Sequence, residues 1–410
     1  MNRDLIYLVL IFCLLVVPRA LQRFRIPAPV TSLVAGIVAV FVFGEETHDP
    51  VLALLSTIGI SSLFLFAGLE VDPGALKRRW KPLLTHLAVR ALSLFALGWL
   101  AWRFLDLGWQ ASGLLALALL TPSTGFILDT LERLGLDDEE AFWVTNKAIA
   151  GEIVALAALF VMLQAGDMQQ LALSSAAMLA LVIGVPLLFI ALGRWVVPHA
   201  KGSEFSLLVM VGLVAAYVTY KLGVYYLVGA FIVGVIARLL HERMPKLASE
   251  ENLHALRLFA TFFVPIYFFS AGTHVPPSAL GPKALAIGLV LTVVLLPLRI
   301  GIVWLQRRVM FGESSGSSMR VALALTPTLV FTLVLAGILY SRFGLPESWL
   351  GALVIYTVLN TMLPSLLLRT PIDLSPNAPG AEHPEDEVPD SPAVAPVEAG
   401  QPATADRRGA

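Results

Sequence analysis

"LALALLTPSTGF" (Leu115–Phe126) and "VALALTPTLVF" (Val321–Phe331) each set a Thr-Pro-(Ser/Thr) triplet inside an apolar run. Proline removes a backbone donor and clashes with the preceding helical turn. In lipid, the polar groups freed by such a break survive only when buried in protein or facing a wet cavity. Two readings are open. Either these are ordinary proline kinks whose hydroxyls bond back to their own helices, or they are two discontinuous helices. In the second case Thr121, Ser123, Thr124, Thr326 and Thr328 offer hydroxyls to an ion.

The composition says that lipid is the solvent around these runs. Of 410 residues, 57% are hydrophobic and only 14% charged, against roughly 25% charged in a soluble domain. A net charge of −1 leaves no basic stripe for nucleic acid. The single cysteine, Cys13, excludes disulfide scaffolds and Cys-based metal sites. The first apolar run, "LIYLVLIFCLLVV", is followed by basic "PRALQRFRIP" without a small-x-small cleavage site, so it reads as a retained helix rather than a signal peptide.

Apolar stretches of spanning length recur at about 4–21, 28–44, 51–70, 83–105, 109–132, 141–164, 171–195, 203–221, 224–240, 255–272, 284–306, 319–341 and 347–369. The expected fold is an all-α polytopic membrane protein of about thirteen spans occupying residues 1–370. Only "KLGVYY" separates the eighth span from the ninth. Residues 371–410 turn Pro/Ala/Glu-rich and are expected to form a disordered tail. Positive charge gathers on alternate connections: Arg19, Arg23 and Arg25; Lys77, Arg78, Arg79 and Lys81; Arg194 and Lys201; Arg238, Arg243 and Lys246; Arg307, Arg308 and Arg320. The positive-inside bias then puts the N-terminus outside and the tail in the cytoplasm, across an inner or plasma membrane.

The two Thr-Pro runs belong to a longer correspondence. Thr121 and Thr326 lie 205 positions apart, and Gly68 of "LFAGLEVDPGAL" lies 204 before Gly272 of "FSAGTHVPPSAL". Two matches at nearly one offset equate span 3 with span 10 and span 5 with span 12. An offset of seven spans inverts the second copy, giving repeat one at about 4–164, a linker helix at 171–195 and repeat two at 203–369. Inverted repeats with broken helices meeting at the midplane are the architecture of secondary transporters.

Glu152 lies in the sixth span, "AFWVTNKAIAGEIVALAALFVML", roughly 16 Å along its helix. A carboxylate there costs about 2.5–3.5 kcal/mol on insertion scales, so it must be protonated, paired or holding a cation. Burial and a nearby cation pull a carboxyl's proton affinity in opposite directions. A carboxyl balanced between them exchanges a proton for a cation, whereas one locked in a salt bridge is structural. Arg299, behind Pro297 in span 11, is the expected charge partner, with snorkelling toward the cytoplasm as its alternative. Asn146, Lys147 and Asp129 are placed on a cytoplasmic approach. Glu70, Asp72 and Glu204 sit near span ends, where capping or solvation is the ordinary role. Hydrolase, metalloprotease, Walker and dinucleotide motifs are absent from the sequence, so no enzymatic activity and no cofactor is expected.

The chain resembles the cation:proton antiporter-2 family over residues 1 to about 370. "LFLFAGLEVD" (Leu63–Asp72) is close to that family's most specific stretch. "RFRIPAPVTSLVAGIVAV" from Arg23, "GVYYLVGAFIVGVIA" from Gly223 and "PIYFFSAGTHV" from Pro265 are similar to three more. The resemblance implies a thirteen-span inverted-repeat fold, often dimeric, with spans 5 and 12 as crossed discontinuous helices. It puts Glu152 where the family carries its ion-binding Asp, and Arg299 where many members carry a membrane-embedded Lys or Arg. Here Gly151 stands where Asp, Asn or Gln usually precedes the acid. "TPTL" replaces a Gly-Glu-Phe run of potassium-efflux members. These departures leave the choice among Na⁺, K⁺ and Li⁺ open.

The expected function is exchange of a monovalent cation for protons by alternating access at Glu152, with spans 3–6 and 10–13 rocking against the rest. The expected partners are the cation, protons, the bilayer and a second copy in a homodimer. A sodium-coupled symporter of an organic anion and a non-transporting membrane sensor are the alternatives.

Overall fold

The computed structural model describes residues 3–44, 49–72, 74, 77, 80–166, 168–200, 202–241 and 249–368. The tail, and Arg78, Arg79, Lys201, Arg243 and Lys246, lie outside the described residues. Fifteen α-helices are described here: α1 (Arg3–Gln22), α2 (Ala28–Phe43), α3 (Pro50–Leu69), α4 (Trp80–Phe104), α5 (Trp109–Leu120), α6 (Thr124–Thr130), α7 (Asp138–Gln164), α8 (Met168–Trp195), α9 (Glu204–Lys221), α10 (Tyr226–Leu239), α11 (Glu250–Thr273), α12 (Pro282–Phe311), α13 (Ser315–Ala324), α14 (Leu329–Phe343) and α15 (Glu347–Leu367). Among the described residues, nine helices, counting α5 and α6 as one, are long and apolar enough to cross a bilayer. A tenth is the α13–α14 pair, bent by 42°, and α1, α2 and α10 contribute shorter apolar helices. The protein is an all-α multi-pass membrane protein.

Local chemistry sets the helix ends. Pro122 confines Thr121 to extended backbone, φ −77° and ψ 118°, as a residue before proline must be, and α5 stops there. The weak boundary at "KLGVYY" resolves at Gly223, whose φ of +74° turns the chain between α9 and α10 in a conformation glycine adopts without strain. Asp137 caps α7 in a reciprocal box with Glu140, accepting from the Glu140 N–H at 2.8 Å.

The helices sort into two packed groups. In the first, α3 lies along α10 and α11, α2 along α11, and α9 along α10. Glycines allow backbone contact in this group. A Cβ on Gly234 would lie 2.3 Å from the Leu65 carbonyl oxygen, and one on Gly272 would lie 2.2 Å from that of Leu33. In the second group, α12 packs on α15 and α13, α14 on α15 and α5, and α4 on α5 and α7. The third and tenth expected spans, α3 and α11, thus pack within the first group. Their Gly68 and Gly272 faces meet complementary glycine faces on α10 and α2. Helices α4 and α8 turn most of their surface outward, as at Phe95 and Leu173, where lipid is the natural solvent.

Candidate functional site

Both Thr-Pro breaks lie buried at one crossing. The Ser123 N–H donates to the Pro327 carbonyl at 2.8 Å, and the Val330 N–H donates to Ser123 Oγ at 3.4 Å. Thr332 Oγ1 donates to the Ala118 carbonyl at 2.7 Å, and the Tyr356 hydroxyl donates to the Leu119 carbonyl at 2.7 Å. Asn360 Oδ1 accepts from the Thr328 N–H at 3.2 Å. Each half-helix would otherwise present unmatched carbonyls or N–H groups to an apolar interior. The crossing supplies their partners from the other break and from α15.

This arrangement divides the five candidate hydroxyls. All five residues are buried. Thr326 Oγ1 donates to the Leu323 carbonyl at 2.8 Å and lies 3.2 Å from that of Asn360. Thr328 Oγ1 lies 2.9 Å from Asn360 Nδ2, 3.2 Å from Thr357 Oγ1 and 2.7 Å from Thr332 Oγ1. The hydroxyls of the second break are therefore engaged in holding it. In the first break, Ser123 is engaged by α14, while Thr121 Oγ1 and Thr124 Oγ1 have no hydrogen-bond partner. Thr326 bonds back to its own preceding helix, while the Thr121 and Thr124 hydroxyls are left without a partner.

Glu152, 1% exposed on α7, faces the Thr124 hydroxyl, and its Oε2 has no partner. The cation beside it is Arg90 of α4. Next to Glu152, a Cβ added to Gly151 would lie 2.7 Å from Arg90 Nη1 and 2.9 Å from its Cζ. The guanidinium fills the space of the missing side chain. The expected pairing of Arg299 with Glu152 is not formed. Arg299 donates from Nη1 to the Tyr356 hydroxyl at 3.0 Å and from Nη2 to the Leu325 carbonyl at 3.3 Å. Those bonds satisfy the second break, so snorkelling is also set aside: Arg299 is 9% exposed and turned inward.

The expected approach residues separate as well. Asp129 lines a cavity of about 380 Å³ with Arg133, Arg257, Phe66 and Phe126. Asn146 instead donates to the Phe142 carbonyl of its own helix at 2.7 Å. Lys147 is buried, its Nζ 5.8 Å from the Trp143 ring centroid and 5.7 Å from that of Phe311. Neither lines that cavity; cation–π contact with two rings holds Lys147 inside. Arg307, counted above as a loop charge, is likewise buried and ion-paired with Glu313. Of the residues near span ends, Asp72 accepts from the Gly74 N–H at 2.8 Å, and Glu70 lies 4.0 Å from Arg257. Burial pushes the Glu70 carboxyl up, with Arg257 opposing.

A second cavity, about 600 Å³, is lined by Ser56, Tyr220, Tyr226, His274 and Arg342. Helix α3 contributes Phe66 near its C-terminus to the first cavity and Ser56 near its N-terminus to the second. The cavities therefore open at opposite ends of α3, and Glu152 lines neither.

Sequence reasoning missed Arg90, Tyr356, Thr357 and Asn360. Each is polar or charged within an apolar helix, the pattern that marks functional positions in membranes, so the signal was present.

Residues 8–370 match the family model described as sodium/hydrogen exchanger, transmembrane. Over 282 residues the chain is 28% identical to the probable Na(+)/H(+) antiporter 3 of Methanocaldococcus jannaschii, covering 65% of this chain and 70% of that one. It is 24% identical over 357 residues to the Na(+)/H(+)-K(+) antiporter GerN of Bacillus cereus, covering 84% and 89%. In fold it is similar to the sodium proton antiporter MjNhaP1 from Methanocaldococcus jannaschii at pH 8, with a TM-score of 0.64 and 15% identity over 89% of this chain and 96% of that one. The two crossed breaks and the buried carboxylate thus sit within a match that runs nearly the full length of the described helices. The chain belongs to the sodium/hydrogen exchanger family.

Proposed function

We propose that the protein exchanges Na⁺ or K⁺ for protons by alternating access, with Glu152 as the shared binding group. The observation that carries this reading is a fully buried carboxylate facing the Thr124 hydroxyl at the crossing of two interrupted helices. Deprotonated Glu152, with the Thr121 and Thr124 hydroxyls and carbonyls of the first break, receives a dehydrated cation. A proton and a cation compete for the same oxygens, so release of one on either side requires arrival of the other. With one titrating carboxylate and arginines that keep their charge, the exchange is one proton per cation and electroneutral. Cavities at opposite ends of α3 support two routes to the site. The group containing α5–α7 and α12–α15 carries the carboxylate past the scaffold of α2, α3 and α9–α11.

The inverted repeat is supported by how equivalent helices pair. The breaks bond to each other, and the Gly68–Gly234 contact of α3 with α10 is matched by the Gly272–Gly36 contact of α11 with α2. Loop charge supports an N-terminus outside and a cytoplasmic tail, and the first cavity then opens to the cytoplasm. The exposed faces of the scaffold leave room for a homodimer.

The test is cation-dependent proton movement in liposomes holding the pure protein, wild type beside Glu152→Gln, with Na⁺, K⁺ and Li⁺ in turn. Exchange by the wild type alone supports the reading, and the active ion names the substrate. Equal exchange by both removes Glu152 from the mechanism. An effect of imposed voltage on wild-type exchange, without leak, overturns electroneutrality.

A further inference from the structure

Arg90 is a second membrane-embedded arginine, distinct from Arg299 in what it touches. Its Nε and Nη2 are shielded from solvent and make no hydrogen bond. Arg299, by contrast, is tied to Tyr356 and the Leu325 carbonyl. A guanidinium carries five donors in a fixed fork, so leaving two buried and idle is costly. Such a group is held there by something other than hydrogen bonds. Two features supply that hold: the opposite charge of Glu152, which works against the like charge of Arg299, and the space over Gly151, where any Cβ would meet the guanidinium at 2.7 Å. Arg90 also lines a cavity of about 70 Å³, with His86, Pro122, Arg299 and Thr326. The guanidinium has somewhere to move.

We propose that Arg90 is the counter-charge of Glu152 in the cation-free state, seated in the gap left by Gly151, and that an entering cation displaces it toward the adjoining cavity. Arg90 is a positioning residue in this scheme. It keeps the empty carboxylate from standing alone in a low-dielectric interior, and its like charge weakens the hold on the bound cation enough for release. Gly151 is then part of the binding site through what it lacks. A longer side chain at that position and a guanidinium over it are mutually exclusive. The proposal rests on the antiport reading of Glu152.

The test is a double-mutant cycle on Arg90 and Gly151 in proteoliposomes, assayed at alkaline pH, where proton competition for the carboxylate is weak. Binding of ²²Na⁺ to detergent-solubilised protein provides a second readout. Arg90→Gln removes the competing charge, so KM and Kd for the cation fall by about three- to tenfold while the maximal rate drops or stays. Arg90→Lys keeps the charge and stays near wild type. Gly151→Ala lowers KM in the wild-type background and has no further effect on Arg90→Gln, because nothing is left for the new Cβ to push. Should Arg90→Gln fail to give folded protein, Gly151→Ala with Arg90→Lys decides, since the slimmer ammonium restores KM toward wild type. Wild-type KM in Arg90→Gln, an equal effect of Gly151→Ala in both backgrounds, or no rescue by lysine overturns the assignment while leaving antiport intact. A wild type that neither binds nor exchanges cation overturns both.

Discussion

At the scale of single residues, five similar hydroxyls carry two different jobs. Thr326 and Thr328 hold the second break together through Asn360, Thr357 and Leu323, whereas Thr121 and Thr124 keep unpartnered oxygens, Thr124 facing the carboxylate. Substitution should separate the jobs. Thr124→Val is expected to raise KM for the cation about tenfold, the loss of one hydrogen-bond-sized interaction, with no change in thermal stability. Thr326→Val is expected to lower stability by about 1 kcal/mol and to leave KM within twofold of wild type. Paired melting curves and uptake kinetics check both. A KM rise in Thr326→Val without loss of stability would return that hydroxyl to the ion site. No spacing rule distinguishes these threonines. Each follows or precedes a proline in an apolar run; Thr326 and Thr328 find partners on their own helices and on α15, and Thr121 and Thr124 do not.

Helices in lipid gain no hydrophobic drive toward one another, so close backbone packing does more of the work. The scaffold shows this in the contact of α3 with α10, where Gly234 and Gly68 meet and a Cβ at Gly234 would lie 2.3 Å from a carbonyl oxygen. Gly234→Ala must part the two helices, at about 1–3 kcal/mol for an overpacked contact. The expected result is a fall of several degrees in the melting temperature of purified protein. Gly337, on α14 with nothing within 4 Å of its added Cβ, is the control: alanine there should hold or raise stability, by up to about 1 kcal/mol of helix propensity. Equal melting temperatures for the two variants would show that α3 and α10 yield without cost. The sequence marked both glycine stretches as a repeat, but not as faces of a static group. Their partners, Gly36 and Gly234, lie on helices that no offset connects to them.

For the molecule as a whole, the question is what restrains one helix group against the other. Arg257 of α11 reaches Glu132, just beyond α6, at 2.8 Å, bridging the scaffold and the group that carries the site. Both side chains are partly or largely exposed, 35% and 78%, so the pair contributes at most about 1 kcal/mol. That is still enough to shift a two-state population up to about fivefold. Glu132→Gln is therefore expected to depopulate the conformation described here. A cysteine at Phe126, which lines the first cavity, reports on it when Cys13 is replaced by serine. Its labelling by a polar thiol reagent should slow two- to fivefold in Glu132→Gln, by the same estimate, and in wild type at high salt. Unchanged labelling would mean that this ion pair forms in both conformations and restrains neither.

The sequence by itself determined the solvent, the approximate helix positions, the paired breaks and the buried carboxylate. These follow from hydropathy, from proline's missing donor and from the cost of a charge in lipid, all properties of short stretches of chain. The sequence did not determine who stands beside whom. Arg299, expected beside the carboxylate, is bonded instead to Tyr356 and Leu325. Arg90, in a helix that shows most of its surface to lipid, reaches the carboxylate through the gap at Gly151. Lys147 and Arg307, which read as approach and loop charges, are buried against aromatic rings. In each case the outcome depends on which helix supplies the neighbouring atoms. Packing among helices far apart in the chain settles that, because buried charges take whatever partner the fold brings within reach.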